Sequence, residues 1–239
     1  ALVLGLVVLR YLDNGISSAR WLTPAEKSLL EKAIVANQAG KKVPPSIAAA
    51  FADPRVWMWC LLYFCFIAGQ YGLTFWMPTL ISATGIKGNF NIGLLSAIPF
   101  VVAIISMVLI AQSADRHRER RWHLVIPATV GAIGLIGAAV FSQNAPTAIA
   151  LLSLAAAGII PCTPLFWSLP TSILEGRVAA ATIAAINSVG NLAGFASPFL
   201  VGYLKDATHN NRMGMYTLAG MMILGAALVL KSPRALVNR

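Results

Sequence analysis

The sequence predicts an all-α integral membrane protein with six spans, and three observations carry that prediction. Only 11% of the 239 residues are charged, 58% are hydrophobic, and the mean hydropathy is +0.74. A water-soluble chain carries about 25% charged residues because its outside must face water, whereas lipid lets the outside stay apolar. Six apolar runs, at 56–81, 92–112, 124–141, 148–174, 178–204 and 213–230, each approach or exceed the roughly 20 residues a helix needs to cross hydrocarbon. They are rich in Gly, Ala and Leu and lack the alternation over about ten residues that marks a barrel strand. The charges, finally, fall in the gaps between these runs.

Taken in order, residues 1–9 are apolar but too short to span, and they lack the basic start of a signal peptide. They read as the end of a helix that begins earlier, so the chain is expected to be a fragment. Residues 10–55 form a polar connection. Within it Thr23, Pro24 and Glu26 give a capping hydroxyl, a proline at the first helical position and a carboxylate at the third. That predicts a short helix with Leu29, Leu30 and Ile34 on one face, lying on the membrane surface until Lys41, Lys42, Pro44 and Pro45 break it. The bundle of six spans occupies 56–230, and 231–239 is a tail.

If the spans alternate in direction, 15 of the 18 Lys and Arg lie on one side: in 10–55, at 116–121, at Arg177 and in the tail. The other side receives only Lys87, Lys205 and Arg212. The excess of Lys and Arg in cytoplasmic loops then places the 10–55 connection and the C-terminus in the cytoplasm. No Lys, Arg, Asp or Glu is left for the middle of a span, where each would cost about 2.5–3.5 kcal/mol on insertion scales. Ionic chemistry is therefore absent from these helix interiors.

The net charge of +10 does not make a nucleic-acid partner, because the basic residues sit in short gaps and not on one face of a soluble body. Cys60, Cys65 and Cys162 lie inside apolar runs, an odd and scattered set that suits neither disulfides nor a metal. His117, His123 and His209 sit at span ends. The patterns GxxxxGK[ST], HExxH and GxSxG are missing, so neither enzyme chemistry nor a cofactor is expected.

Candidate functional residues come from polar side chains that interrupt the spans. Between the second and third spans, Asp115 is followed by Arg116, Arg120 and Arg121. The arginines alone would only hold orientation; with Asp115 they can pair or cap a neighbouring helix and latch one side of a moving bundle. In the fifth span Asn187, Asn191 and Gly194 share a helix face, and Gly190 with Gly194 forms a GxxxG step for close packing. The asparagines either bond neighbouring helices or line a cavity, since unpaired amides in hydrocarbon are costly. Gln70, Tyr71, Thr74 and Pro78 interrupt the first span, and Pro161, Pro164, Trp167, Ser168 and Pro170 break up the fourth. Prolines free backbone carbonyls, which membranes tolerate beside a cavity. Trp76, near a span end, is assigned to the interfacial belt, and the deeper Trp167 to the cavity.

These residues resemble the anion:cation symporter branch of the major facilitator superfamily, which includes tartrate, phthalate, galactonate and hydroxyphenylacetate permeases. The resemblance covers nearly the whole chain. Residues 21–27 are similar to the family's central cytoplasmic connection, and 115–121 to its loop between helices eight and nine. The most specific stretches are Phe166-Trp167-Ser168-Leu169-Pro170 and 184–198, with the Asn-Ser-x-Gly-Asn-x-x-Gly-Phe core. The resemblance implies a twelve-helix fold of two six-helix halves with the solute between them. The six spans would be helices seven to twelve, residues 1–9 the end of helix six, and an N-terminal half the partner. It implies that Gln70 and Tyr71, then Trp167 and Ser168, then Asn187, Ser188 and Asn191 face the cavity. It also implies that the substrate-clamping arginine and proton-linked acids lie largely in the other half. Some vesicular relatives carry an arginine in helix seven where this chain has only Gln70 and Tyr71.

The expected function is secondary active transport by alternating access: proton-coupled symport of a small organic anion, a carboxylate, across a bacterial inner membrane. A facilitator or exporter of neutral compounds, and a receptor or scaffold that transports nothing, are the alternatives.

Overall fold

The computed structural model describes residues 2–11, 13, 15–38, 47–173 and 176–232. The expected break at Lys41–Pro45, the end of the fourth run at Leu174, the side chain of Arg177, and the tail residues Arg234 and Arg239 lie outside what is described. The chain divides into two compact units, 1–43 and 44–239.

The first unit holds α1 (Leu2–Tyr11) and α2 (Pro24–Gln38). The predicted capping box is present. The Glu26 N–H donates to Thr23 Oγ1 at 3.3 Å and the Thr23 N–H donates to Glu26 Oε2 at 2.8 Å, so two orphan donors of the first turn satisfy each other's side chains. Leu29 and Ile34 on α2 are exposed. The Thr23 N–H first, and its hydroxyl second, hold the Glu26 carboxyl below the usual carboxylate range. The sign follows: the cap is whole above the unfolded-state pKa and is lost as pH falls through the lowered value. A peptide covering 20–38 is expected to lose helicity on acidification, by circular dichroism, and its Glu26→Gln form to be indifferent.

The second unit is all helix among the described residues: α3 (Ile47–Ala52), α4 (Pro54–Ser82), α5 (Asn89–His117), α6 (Arg121–Val140), α7 (Ala145–Ile159), α8 (Cys162–Ile173), α9 (Gly176–Asn191), α10 (Ala193–Thr208) and α11 (Arg212–Lys231). Six stretches are long and apolar enough to cross a membrane: α4, α5, α6, 145–170, 179–208 and α11. The predicted spans therefore stand. The fourth breaks at Ile160–Pro161, where the sequence has its prolines; the fifth runs on through Leu192, whose φ of −57° and ψ of −28° are helical and whose carbonyl accepts from the Ala196 N–H at 2.9 Å, so α9 and α10 form one span.

Local sequence sets the helix ends. Asp53 Oδ1 accepts from the Arg55 N–H at 2.9 Å with Pro54 behind the cap, and Asn144 Oδ1 accepts from the Thr147 N–H at 3.1 Å. The α4–α5 turn needs Gly85 and Gly88, whose φ values of +93° and +90° suit no side chain.

In lipid, helices associate by close packing and not by the hydrophobic effect, so small residues mark the contacts. The tightest crossing joins α6 to α7. A Cβ on Gly158 would collide with the Pro127 carbonyl oxygen and lie 2.7 Å from Gly131 Cα; one on Gly134 would lie 2.8 Å from Ala155 Cα. Serines tie other pairs: Ser106 Oγ donates to the Ala157 carbonyl at 2.7 Å, and Ser197 Oγ to the Ala68 carbonyl at 2.6 Å. Helix α4 is central, with 67% of its most apolar window buried against 17% for α5 and 28% for the 179–208 stretch. Large apolar side chains such as Ile104, Leu109, Phe195 and Phe199 stay exposed on those two. Such surface suits lipid or further helices, not water.

Candidate functional site

Two polar constellations stand on this frame. The first runs along α4, α8 and α9, where the fourth and fifth spans flank the central helix. Thr163 Oγ1 donates to Gln70 Oε1 at 2.6 Å, joining α8 to α4 just past the Pro161 break. Trp167 Nε1 donates to the Tyr63 hydroxyl at 3.2 Å, and the Tyr63 ring packs at 4.8 Å on both Phe166 and Trp167.

Glycines of the fifth span seat the rings of α4. A Cβ on Gly190 would lie 2.7 Å from Tyr63 Cε1, and one on Gly194 3.2 Å from Tyr71 Cε2. The GxxxG step therefore does pack helices, but by admitting two tyrosine rings and not a facing backbone. Trp76 packs on α10. Its Nε1 donates to the Pro198 carbonyl at 3.2 Å, its ring lies over Gly202, and Lys205 Nζ stands 5.1 Å from the ring centroid. Gly202, one turn beyond Pro198, leaves room for the indole inside the bundle.

With α9 fixed this way, Asn187, Ser188 and Asn191 are exposed, as is Thr74 on α4. Asn191 Nδ2 donates to Asn187 Oδ1 and to its carbonyl, both at 2.8 Å. The pair is thus pre-oriented, with carboxamide capacity left over on an open face. Tyr71 is half-buried and stacks on Phe75. Ser168 is drawn elsewhere: its hydroxyl donates to the Leu165 carbonyl at 2.6 Å, and its own carbonyl accepts from Arg120 at 3.0 Å. The face carries no ionisable group except tyrosine among the described residues. Tyr63 and Thr163 belong to it and escaped sequence reading, Tyr63 because it sits about two turns before the polar interruption at Gln70.

The second constellation is the turn between α5 and α6. Helix α5 ends in a Schellman motif, with the Glu119 N–H on the Ala114 carbonyl (3.2 Å) and the Arg118 N–H on the Asp115 carbonyl (3.3 Å). Arg118 takes the left-handed position, φ +50°, that glycine usually fills. Glu119 then caps α6 through the Trp122 N–H at 3.0 Å and meets His123 Nδ1 at 2.9 Å; His123 Nε2 meets Ser113 Oγ at 2.9 Å. Neither Glu119 nor His123 was singled out in sequence, although Glu119 lies where an α6 capping carboxylate belongs.

This rigid turn aims its arginines at neighbouring helices. Arg120 reaches the Ser168 carbonyl and stands 3.8 Å from Asp115, and Arg121 donates to the Leu230 carbonyl. Leu230 lies in the last turn of α11, where a cation satisfies orphan carbonyls and the helix dipole. Arg116 is exposed and joins neither contact. A cavity of about 370 Å³ lies beside this cluster, lined by Asp115, Arg120, Pro161, Pro164 and Ser168 among others. Asp115 is 76% exposed, so its ion pair is worth about 0–1 kcal/mol. A double-mutant cycle with Asp115→Asn and Arg120→Gln, read by thermal unfolding in detergent, is expected to give a coupling under about 1 kcal/mol. A latch here would rest on the carbonyl contacts, not on the ion pair.

Residues 1–198 match the Major Facilitator Superfamily. The chain is 38% identical over its whole length to a protein of Pseudomonas putida named as a metabolite transport protein, NicT, of which it covers 55%. It is 40% identical, again over its whole length, to a protein of Agrobacterium vitis named as a tartrate transporter, covering 54% of it. It is also 35% identical over 95% of its length to a quinolone resistance transporter of Acinetobacter baumannii, covering 53%. The chain spans about half the length of the curated relatives it matches.

Proposed function

Because this chain belongs to the Major Facilitator Superfamily, we propose that it forms helices seven to twelve of a secondary transporter and supplies one wall of the solute site. The observation that carries the proposal is the open hydrogen-bonding face on α4, α8 and α9, set beside the break at Pro161. Discontinuous helices beside a mid-membrane cavity are where such carriers hold their solutes. Gln70, Thr163, Ser188, Asn187 and Asn191 would bond hydroxyl and carboxylate oxygens, with Tyr63, Tyr71 and Trp167 as apolar walls and Thr74 at the edge.

The solute class is a small organic anion, a carboxylate, in keeping with the relative named as a tartrate transporter. Among the described residues the face has no cation, and a charge-matching arginine and the proton-binding acid are assigned to the N-terminal half. Transport is proton symport by rocking of the two halves. The contacts of Arg120 and Arg121 at the arginine-bearing end would close and open with each cycle. That end faces the cytoplasm of a bacterial inner membrane, in keeping with the charge asymmetry and the bacterial relatives.

The test is uptake of a carboxylate panel into proteoliposomes holding the full-length protein. An inward proton gradient should drive accumulation, and a protonophore should abolish it. Uptake indifferent to the gradient contradicts symport. The absence of charge on the face and the quinolone resistance relative favour a second reading, export of weakly charged or neutral compounds. In that case quinolones, and not small aliphatic carboxylates such as tartrate, would move in the same vesicles.

A further inference from the structure

At the end of the bundle opposite the arginine-bearing turn, three connections meet around a cavity of about 270 Å³. It lies wholly inside the second unit, between the C-terminal end of α4, the α6–α7 turn and the α10–α11 turn. Its rim is polar: Ser142 and Gln143 come from one turn, and His209, Asn210, Asn211 and Arg212 from the other. Its floor is apolar, with Leu80, Leu152 and Met215. Among the described residues no acidic side chain lines it. Asp206, about one helical turn before His209, is exposed and outside the lining.

The α10–α11 turn is held in shape from within. The Thr208 hydroxyl is within bonding distance of the Leu204 and Asn210 carbonyls (2.6 and 3.1 Å), and Asn210 Oδ1 accepts from the Arg212 N–H at 2.9 Å. That bond commits the Asn210 oxygen and leaves its NH2 group as a donor. Arg212 lines the cavity and has no ion-pair partner among the described residues. It is one of only three Lys and Arg that the alternating spans leave on this side.

We propose that this cavity is a second, peripheral site for a small organic carboxylate, with Arg212 as its charge partner and the Gln143, Asn210 and Asn211 carboxamides as neutral donors. An arginine beside uncharged donors, without an acid, selects an anion. The half-apolar lining distinguishes a carboxylate on a hydrocarbon skeleton from a bare sulfate or phosphate. The volume holds about nine waters at ~30 Å³ each, enough for a short diacid. The site gathers anions at the mouth of the bundle and is separate from the face on α4, α8 and α9. It does not depend on which solute is carried.

The full-length protein in nanodiscs can report on it through Ser142→Cys, because Cys60, Cys65 and Cys162 are all buried. The anionic reagent methanethiosulfonate ethylsulfonate is expected to modify this thiol on the order of tenfold faster, relative to its cationic trimethylammonium analogue, than it modifies an Ala207→Cys control on the same end. Succinate should slow the reaction, while erythritol should not and sulfate should do so far less. Arg212→Gln should erase both the preference and the protection at an unchanged thermal midpoint. If that variant misfolds, Asn211→Asp serves: a negative charge in the cavity should reverse the reagent preference with Arg212 still in place. Equal reagent preference at the two positions, preference that survives these substitutions, or equal protection by erythritol overturns the proposal; protection by sulfate as strong as by succinate overturns the carboxylate assignment. Modification needs no transport, so failure here and failure of uptake are separate results.

Discussion

Gly158→Ala is expected to abolish most of the recoverable folded protein, although it adds a single methyl group. The new Cβ would meet the Pro127 carbonyl oxygen and Gly131 backbone, 2.7 Å from Gly131 Cα. Backbone atoms have no rotamers, so only separation of α6 from α7 relieves the overlap. Overpacking in well-packed cores costs about 1–3 kcal/mol, and a collision with backbone belongs at the upper end. No hydrophobic term compensates, because lipid solvates the parted helices as well as they solvated each other. Helix α6 also packs on α11, so the displacement spreads. Gly220→Ala in α11 is the matched control, since its Cβ would meet nothing within 4 Å. Detergent size-exclusion yield and thermal midpoint should fall for the first and hold for the second. Equal yields would contradict the packing described for this crossing.

Gly190→Ala should act on the site more than on the fold. Its Cβ would lie 2.7 Å from Tyr63 Cε1, a ring that is itself buried and stacked on Phe166 at 4.8 Å. Unlike the backbone facing Gly158, this neighbour can swing. Swinging breaks the Trp167 Nε1 bond to the Tyr63 hydroxyl and shifts α9 with its asparagines. Uptake is expected to fall on the order of tenfold to a hundredfold, equivalent to about 1.4–2.8 kcal/mol of misplacement. The midpoint should drop modestly. Adding Tyr63→Ala to Gly190→Ala removes the collision but empties a buried ring site, so neither the midpoint nor uptake should return. Recovery of uptake would remove Tyr63 from the wall of the site.

The number, order and approximate limits of the spans were legible in the sequence because length and hydropathy report solvent preference directly. The Thr23–Glu26 box and the Pro161 break were legible because local chemistry decides them. What escaped depends on distant partners. Gly131, Gly134 and Gly158 read as ordinary small residues until α6 and α7 are crossed. The Gly190–Gly194 step suggested a facing helix backbone, yet the wide surface it offers is filled by tyrosines from 127 and 123 positions earlier in the chain. At the α5–α6 turn the arginines were visible, but their acceptors are backbone carbonyls, which no sequence pattern marks.

The most direct measurement is equilibrium binding, by scintillation proximity, of whichever carboxylate the proteoliposomes accumulate. The full-length protein should bind it saturably, and an Asn187→Ala/Asn191→Ala form should lose that binding with its thermal midpoint unmoved, since both carboxamides are exposed. Undiminished affinity in the double variant would contradict the placement of the solute on this face.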